Sequence, residues 1–176
     1  MTAPETPVLT YIAYERFVAD VQAIAARLEA DDWRPDFIVG IGRGGLVPGA
    51  YLSHRTGISM LSVDYSSKVA GFSDELLAKL ATMSRADRRI LFVDDINDSG
   101  ATLMYLRDAI VGHGGVPANQ RIAVLINNSR SRATVDYCSR TIDREVDKDW
   151  YVFPWESVAP SGTLIEEALE VPERLA

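Results

Sequence analysis

Apolar residues recur at helical spacing in several segments of the chain. The clearest segment lies between Tyr14 and Ala30, where charged and amide residues separate the apolar positions Phe17, Val18, Val21, Ile24, Ala25 and Leu28. The same reasoning predicts helices over 46–56, 102–111 and 162–169, and a helical patch around Leu76, Leu77, Leu80 and Met83. These segments predict amphipathic helices that each bury one face.

Short apolar runs alternate with these helices and predict strands over 37–39, 59–63, 90–93 and 122–126. The alternation predicts an α/β fold, a mostly parallel twisted sheet with helices on both faces, and ligands at the carboxyl ends of the strands. The polar stretch 64–89 predicts an excursion that is mobile at its start. Beyond residue 126 the pattern becomes irregular and aromatic. Without a repeat or a linker, we expect a single domain over 1–176.

Composition and charge narrow the class of protein. The chain has 176 residues, of which 47% are hydrophobic and 24% charged, and its net charge of −7 argues against binding to nucleic acid or to anionic membranes. The lone Cys138 fits a reducing, cytoplasmic setting, and no apolar run has the length of a membrane span. Any bound anion must therefore be held by local donors or by a metal ion.

A first glycine-rich segment follows the strand 37–39. Gly40, Gly42 and Gly45 satisfy G-x-G-x-x-G, and Asp64 lies 19 residues beyond Gly45, which is the pattern of a dinucleotide-binding oxidoreductase. Arg43 within the segment and the small size of the chain argue against that interpretation. The alternative is a tight turn whose backbone N–H groups and Arg43 hold a phosphate or pyrophosphate.

A second segment carries three carboxylates after the strand 90–93. Asp94 and Asp95 end the strand, and Asp98 opens the run Asp-Ser-Gly-Ala-Thr at the start of the next helix. Helix capping by Asp98 or Ser99 explains one acid at most. Hydroxyls and free N–H groups at a helix N-terminus suit a phosphate, and carboxylates beside it suit sugar hydroxyls and a hard cation. A ribose 5-phosphate is the kind of ligand that this predicts.

Both segments resemble known motifs. Residues 90–103 resemble the phosphoribosyl pyrophosphate (PRPP) signature of type I phosphoribosyltransferases, and 42–49 resemble the pyrophosphate loop of the bacterial xanthine-guanine phosphoribosyltransferases. Residues 150–156 resemble the Trp-x-x-x-Pro-Trp-Asp ending of those enzymes, with Glu156 in the last place. The resemblance covers 37–156.

The resemblance implies a role for each matching residue. Arg43 and Gly44 would hold pyrophosphate, and Asp94 and Asp95 the ribose hydroxyls, with Asp95 at a Mg²⁺ cofactor. The 5-phosphate would be bound by Asp98, Ser99, Gly100, Ala101 and Thr102. Asp98 would also act as the catalytic acid/base group at the purine N7.

For the base, the resemblance implies a small C-terminal hood over about 127–156, with Trp150 stacking on the base and the backbone of Tyr151 reading its C2 substituent. Asn127 stands where a lysine that donates to the purine 6-oxygen is usual, and an amide donates without a charge. Ser99 replaces the usual threonine and keeps the hydroxyl. Phe153 and Trp155 are expected in the core, and a solvated helix face is expected of Glu166, Glu167, Glu170 and Glu173.

The implied reaction transfers the 5-phosphoribosyl group from PRPP to a nucleobase, best a 6-oxopurine such as guanine, xanthine or hypoxanthine, and releases pyrophosphate. The alternatives are a PRPP-binding regulator without turnover and the dinucleotide-binding oxidoreductase. We also expect a homo-oligomer, either a dimer or a tetramer.

Overall fold

Strands and helices alternate along the chain as the apolar pattern predicts. A computed structural model describes residues 6–64 and 72–170. The elements are β1 (Leu9–Tyr11), α1 (Tyr14–Ala30), β2 (Phe37–Ile41), α2 (Gly42–Thr56), β3 (Ser59–Val63), α3 (Phe72–Arg85), β4 (Ile90–Asn97), α4 (Ala101–Gly112), β5 (Gln120–Asn128), β6 (Tyr137–Ile142), β7 (Trp150–Val152) and α5 (Ser161–Leu169).

Five of the strands form a parallel sheet in the order β3-β2-β4-β5-β6. From β2 the chain continues to the edge strand β3, whereas from β4 it continues to β5 on the other side. The neighbouring strands β2 and β4 therefore form the point where the winding direction reverses, and open α/β sheets bind their ligands in the crevice at that point. The predicted mostly parallel α/β fold is confirmed.

Helices cover both faces of the sheet, and the strand residues alternate between the two layers. Leu91 and Val93 of β4 pack with α1 in one apolar cluster, whereas Ile90 and Phe92 pack with α3 and α4 in the other. Both clusters are almost fully excluded from solvent. Such a strand is apolar at every position, and this is why residues 90–93 were recognisable.

Polar segments are more regular than their composition indicates. The helix predicted from residue 46 begins at Gly42, and β4 and β5 extend through polar residues to Asn97 and Asn128. Within the predicted hood, β6 pairs with β5 in the main sheet and β7 pairs with β1 in a separate two-stranded ladder. Hydrogen bonding to a neighbouring strand outweighs the weak local preference of these residues.

The predicted excursion after Asp64 falls on residues 65–71, which lie outside the described residues. The helical patch that follows it is confirmed as α3. In the described part of the chain, no helix has both the length and the apolar character needed to cross a membrane.

Candidate active site

A cleft of about 420 Å³ lies at the carboxyl ends of β2 and β4, where the winding direction reverses. One wall comes from the start of α2 and the end of β4, and it contains the predicted residues Arg43, Gly44, Asp94 and Asp95. The opposite wall comes from the C-terminal part of the chain, with Trp155, Glu156, Val158, Ala159, Thr163, Leu164 and Glu167. The first wall was predicted from the sequence, whereas the second was not.

Glycines allow the first turn of α2 to lie directly on β4. A Cβ atom at Gly45 would lie 2.0 Å from the backbone oxygen of Val93, and one at Gly44 would lie 2.5 Å from the carboxylate Oδ2 of Asp95. The expected glycine loop is therefore the first turn of a helix. Its leading N–H groups have no partner within the helix, so they are available to an anion in the cleft.

The Arg43 side chain stands at the mouth of this cleft. It is 95% exposed, and its Nη2 lies 3.6 Å from Oε1 of Glu167 on α5. An exposed ion pair of this length is weak, so a phosphate group can replace the glutamate. Glu167 was expected on a solvated face but lines the cleft instead, and Glu173 lies outside the described residues.

Three of the carboxyl groups that line the cleft have raised pKa values. Burial raises the pKa of Asp94 well above its usual range, with a further contribution from the neighbouring Asp95, and raises the pKa of Asp95 to about 6. Burial, together with the charge of Asp95, raises the pKa of Glu156 to about 7. A cation bound in the cleft would favour the charged forms of these carboxyl groups and lower their pKa values.

A smaller pocket of about 90 Å³ adjoins the cleft and is formed by Asp94 and residues 96–103. Gly100 has a φ of 85°, and a Cβ atom there would lie 2.5 Å from the backbone nitrogen of Ala133. The hydroxyl oxygen of Ser99 accepts the N–H of Ala101 at 3.2 Å, but the N-cap of α4 is Gly100 and no described side chain caps the helix, so the alternative of capping by Asp98 or Ser99 is wrong. The turn before α4 thus has the geometry expected for a phosphate cradle.

Asp98 has a partner that the sequence did not reveal. Arg144 donates from Nε to Oδ1 of Asp98 at 3.0 Å and from Nη2 to Oδ2 at 2.9 Å, and its side chain is only 3% exposed. It also donates to the backbone oxygen of Asp149 at 2.6 Å. Arg144 follows β6 in a segment without apolar periodicity, so no sequence signal identified this contact.

The three predicted base-binding residues lie outside the lining of the 420 Å³ cleft. The side-chain oxygen of Asn127 accepts from Nδ2 of Asn97 at 2.8 Å. Trp150 lies on β7 with its indole N–H buried and without a hydrogen-bond partner among residues 6–64 and 72–170, and the Tyr151 hydroxyl donates to Asp147 at 2.5 Å. These roles stay predictions.

Trp155, expected in the core, lines the cleft, where its ring stacks on buried Phe153 with 4.9 Å between the ring centroids. Its place beside Glu156 gives the cleft an aromatic side that composition alone did not identify.

Comparison with known proteins identifies the family of this chain. The sequence model of the phosphoribosyl transferase domain matches residues 10–158. The chain belongs to the phosphoribosyltransferase family. It is an enzyme of that class, as its solved neighbours also support.

Several solved structures share the fold of this phosphoribosyltransferase. A purine phosphoribosyltransferase from Pyrococcus horikoshii is 25% identical, with a TM-score of 0.65 over 86% of this chain and 97% of its own. The Helicobacter pylori xanthine-guanine-hypoxanthine phosphoribosyltransferase is 19% identical, with a TM-score of 0.62 over 84% and 93%. A hypothetical protein from Neisseria gonorrhoeae with bound ppGpp is 18% identical, with a TM-score of 0.68 over 96% and 98%.

The dinucleotide-binding interpretation of Gly40, Gly42 and Gly45 is wrong for a phosphoribosyltransferase. A Cβ atom at Gly40 would lie 2.8 Å from the backbone oxygen of Gly45. These two glycines therefore let β2 and α2 approach closely, and their match to G-x-G-x-x-G follows from that packing.

Proposed function

We propose that this phosphoribosyltransferase transfers the 5-phosphoribosyl group from PRPP to a 6-oxopurine and releases pyrophosphate, a reaction of purine salvage. One observation carries the proposal: two anion-binding turns adjoin each other at the carboxyl end of β4. The cleft beside α2 and the pocket before α4 share Asp94 and Thr102. PRPP carries a pyrophosphate at one end and a 5-phosphate at the other, so a single ligand can occupy both.

In this placement each anion meets backbone donors. The pyrophosphate lies by Arg43 and Gly44 at the first turn of α2, and the 5-phosphate lies in the turn formed by residues 98–102. The ribose lies between them, with its hydroxyls facing Asp94 and Asp95. Carboxylates are good acceptors for sugar hydroxyls, but they repel phosphates unless a cation is present.

The donor set of the cleft fits Mg²⁺. Hard oxygen ligands are what this ion prefers, and it commonly takes one or two carboxylates together with substrate phosphates. No three His, Cys, Asp or Glu side chains in the described ranges form a complete metal-binding cluster, so the substrate must supply further ligands. Asp95 would hold the ion, which when bound neutralises charge on the leaving pyrophosphate.

The reaction forms a bond between a base nitrogen and the anomeric carbon and breaks the bond from that carbon to the pyrophosphate oxygen. Positive charge develops on the ribose ring, and the carboxylates of Asp94 and Asp95 stabilise it electrostatically. Asp98 accepts a ring N–H of the base. The backbone donors of α2 hold the departing pyrophosphate.

A 6-oxopurine is the acceptor that the three proposed base-binding residues favour. Trp150 offers an aromatic face, Asn127 an amide donor for the 6-oxygen, and the backbone of Tyr151 a contact for the C2 substituent. The purine phosphoribosyltransferase from Pyrococcus horikoshii supports a purine.

A regulator without turnover would bind PRPP but release no pyrophosphate. The cytoplasmic setting and the homo-oligomeric state stay predictions.

The test is pyrophosphate release from PRPP and Mg²⁺ with guanine, xanthine, hypoxanthine, adenine, uracil and orotate in parallel. We expect release with at least one 6-oxopurine. Release with orotate or uracil alone would contradict the choice of base. Binding of PRPP without release with any base would favour the regulator.

The Asp95→Asn variant tests the PRPP site. By calorimetry, we expect PRPP to bind at least tenfold more weakly to Asp95→Asn than to the wild type, because the variant loses the carboxylate that holds the cation. Asp108→Asn is the matched control, since Asp108 is exposed on α4 and away from both pockets. Unchanged affinity in Asp95→Asn, or full wild-type affinity in excess chelator, would contradict the placement of the cation.

A further inference from the structure

Arg144 contacts both Asp98 and Asp149, the residue that precedes Trp150. We propose that Arg144 is a positioning residue, which holds the carboxylate of Asp98 and the strand β7 that carries Trp150 at a fixed separation. The proposal deepens the proposed function and rests on it, because it assigns Arg144 to the subsite where the acceptor base would bind.

The contact with Asp98 fixes the direction of that carboxylate. Nε and Nη2 of Arg144 donate to the two carboxylate oxygens at 3.0 and 2.9 Å. Paired N–H donors of a planar guanidinium define both the distance and the plane of the carboxylate, which a single donor does not do. Each oxygen keeps a lone pair that can accept an N–H from the base.

The remaining nitrogen of the guanidinium, Nη1, contacts the segment that leads into β7. Nη1 of Arg144 donates to the backbone oxygens of Asp149 at 2.6 Å and Asp147 at 3.3 Å. Asp149 directly precedes Trp150, and its carboxylate accepts the hydroxyl of Thr10 on β1 at 2.6 Å. The backbone just before β7 is therefore held by the same buried side chain that orients Asp98.

Arg144 also changes the charge of the subsite. Asp98 lies only four residues from Asp94, in a region where the carboxylates are crowded. Its pairing with Arg144 offsets the charge of the Asp98 carboxylate. The electron-rich edge of a 6-oxopurine can therefore approach Asp98 without net repulsion.

Arg140 provides a matched comparison on the same aromatic ring. The guanidinium carbons of Arg140 and Arg144 each lie 5.7 Å from the centroid of the Tyr151 ring. Arg140 pairs with the buried Asp20 of α1 at 3.1 Å, and Asp20 lines neither pocket. Both arginines pair with an acid and lie over the Tyr151 ring, but of the two only Arg144 contacts Asp98.

The experiment compares wild type, Arg144→Gln, Arg144→Lys and Arg140→Gln in steady-state kinetics with PRPP and the preferred 6-oxopurine. We expect the KM for the base to rise at least tenfold in Arg144→Gln, while the Kd for PRPP measured by calorimetry stays within twofold. Arg144→Lys keeps the charge but loses the paired geometry, so its KM for the base should lie between those of wild type and Arg144→Gln. Arg140→Gln should keep the wild-type KM for the base.

Thermal melts show which variants fold. If Arg144→Gln does not fold, the test rests on Arg144→Lys, which keeps a positive charge beside Asp98. An unchanged KM for the base in both Arg144 variants would overturn the inference. So would a parallel rise in KM for the base and Kd for PRPP, or the same KM rise in Arg140→Gln, because a merely structural role predicts those results. Absence of turnover in wild type with every base would overturn the proposed function, and this inference with it.

Discussion

Replacement of Gly45 by alanine should separate α2 from β4. The added Cβ would lie 2.0 Å from the oxygen of Val93, whereas ordinary contacts begin near 3.4 Å, so the start of α2 must move back by about 1.4 Å. Overpacking of this kind costs about 3 kcal/mol, and alanine returns about 1 kcal/mol through its higher helix propensity. The net loss is about 2 kcal/mol, or roughly 4–8 °C in Tm for a chain of this size.

Urea unfolding followed by circular dichroism measures this loss, with Gly112→Ala as the control. A Cβ atom at Gly112, the last residue of α4, would meet no atom within 4 Å. Gly44→Ala is a second comparison, because its Cβ would meet the movable carboxylate of Asp95 rather than backbone. We expect Gly44→Ala to lose PRPP affinity with less loss of stability. Equal stability of Gly45→Ala and Gly112→Ala would refute the close approach of α2 to β4.

Two further predictions concern single side chains of the site. Burial raises the pKa of Glu156 from 4.5 to about 7, so the stability of the folded state is lost as pH rises through that range. Glu156→Gln should therefore gain about 2–3 kcal/mol relative to wild type between pH 5 and pH 8 in urea unfolding with chelator, and a constant difference would contradict this. Asn127→Lys removes the oxygen that accepts from Asn97 and adds a charge, so the kcat/KM ratios among guanine, xanthine and hypoxanthine should change by about 1.5–3 kcal/mol. Ratios equal to those of wild type would mean that Asn127 does not contact the base.

The buried strands could be predicted because their side chains are apolar on both faces. Residues 90–93 and 122–126 carry this signal, whereas the last residues of β4 and β5 are polar and form strands only because a neighbouring strand completes their hydrogen bonds. The same holds for β6, whose sequence Tyr-Cys-Ser-Arg-Thr-Ile lies at the edge of the sheet. Such strands depend on tertiary context, which apolar periodicity does not report.

The candidate site also contains residues that the sequence predicts and contacts that it does not. Arg43, Gly44, Asp94 and Asp95 belong to short continuous motifs, so the sequence places them together at the ends of adjacent strands. The contacts made by Arg144 and Glu167 join residues far apart along the chain. Arg144 reaches Asp98 across 46 positions, and neither residue lies in an apolar pattern that would reveal the pairing.

The pairing of β1 with β7 has a consequence for how the protein is made. Leu9 lies opposite Trp150 and Tyr11 opposite Val152, so an early segment of the chain forms a parallel ladder with a late one. During synthesis β1 leaves the ribosome long before its partner exists and must wait unpaired while the main sheet forms. Closing so long a loop is slow compared with local contacts. The ladder that carries Trp150 can therefore form only after all five strands of the main sheet have been synthesised.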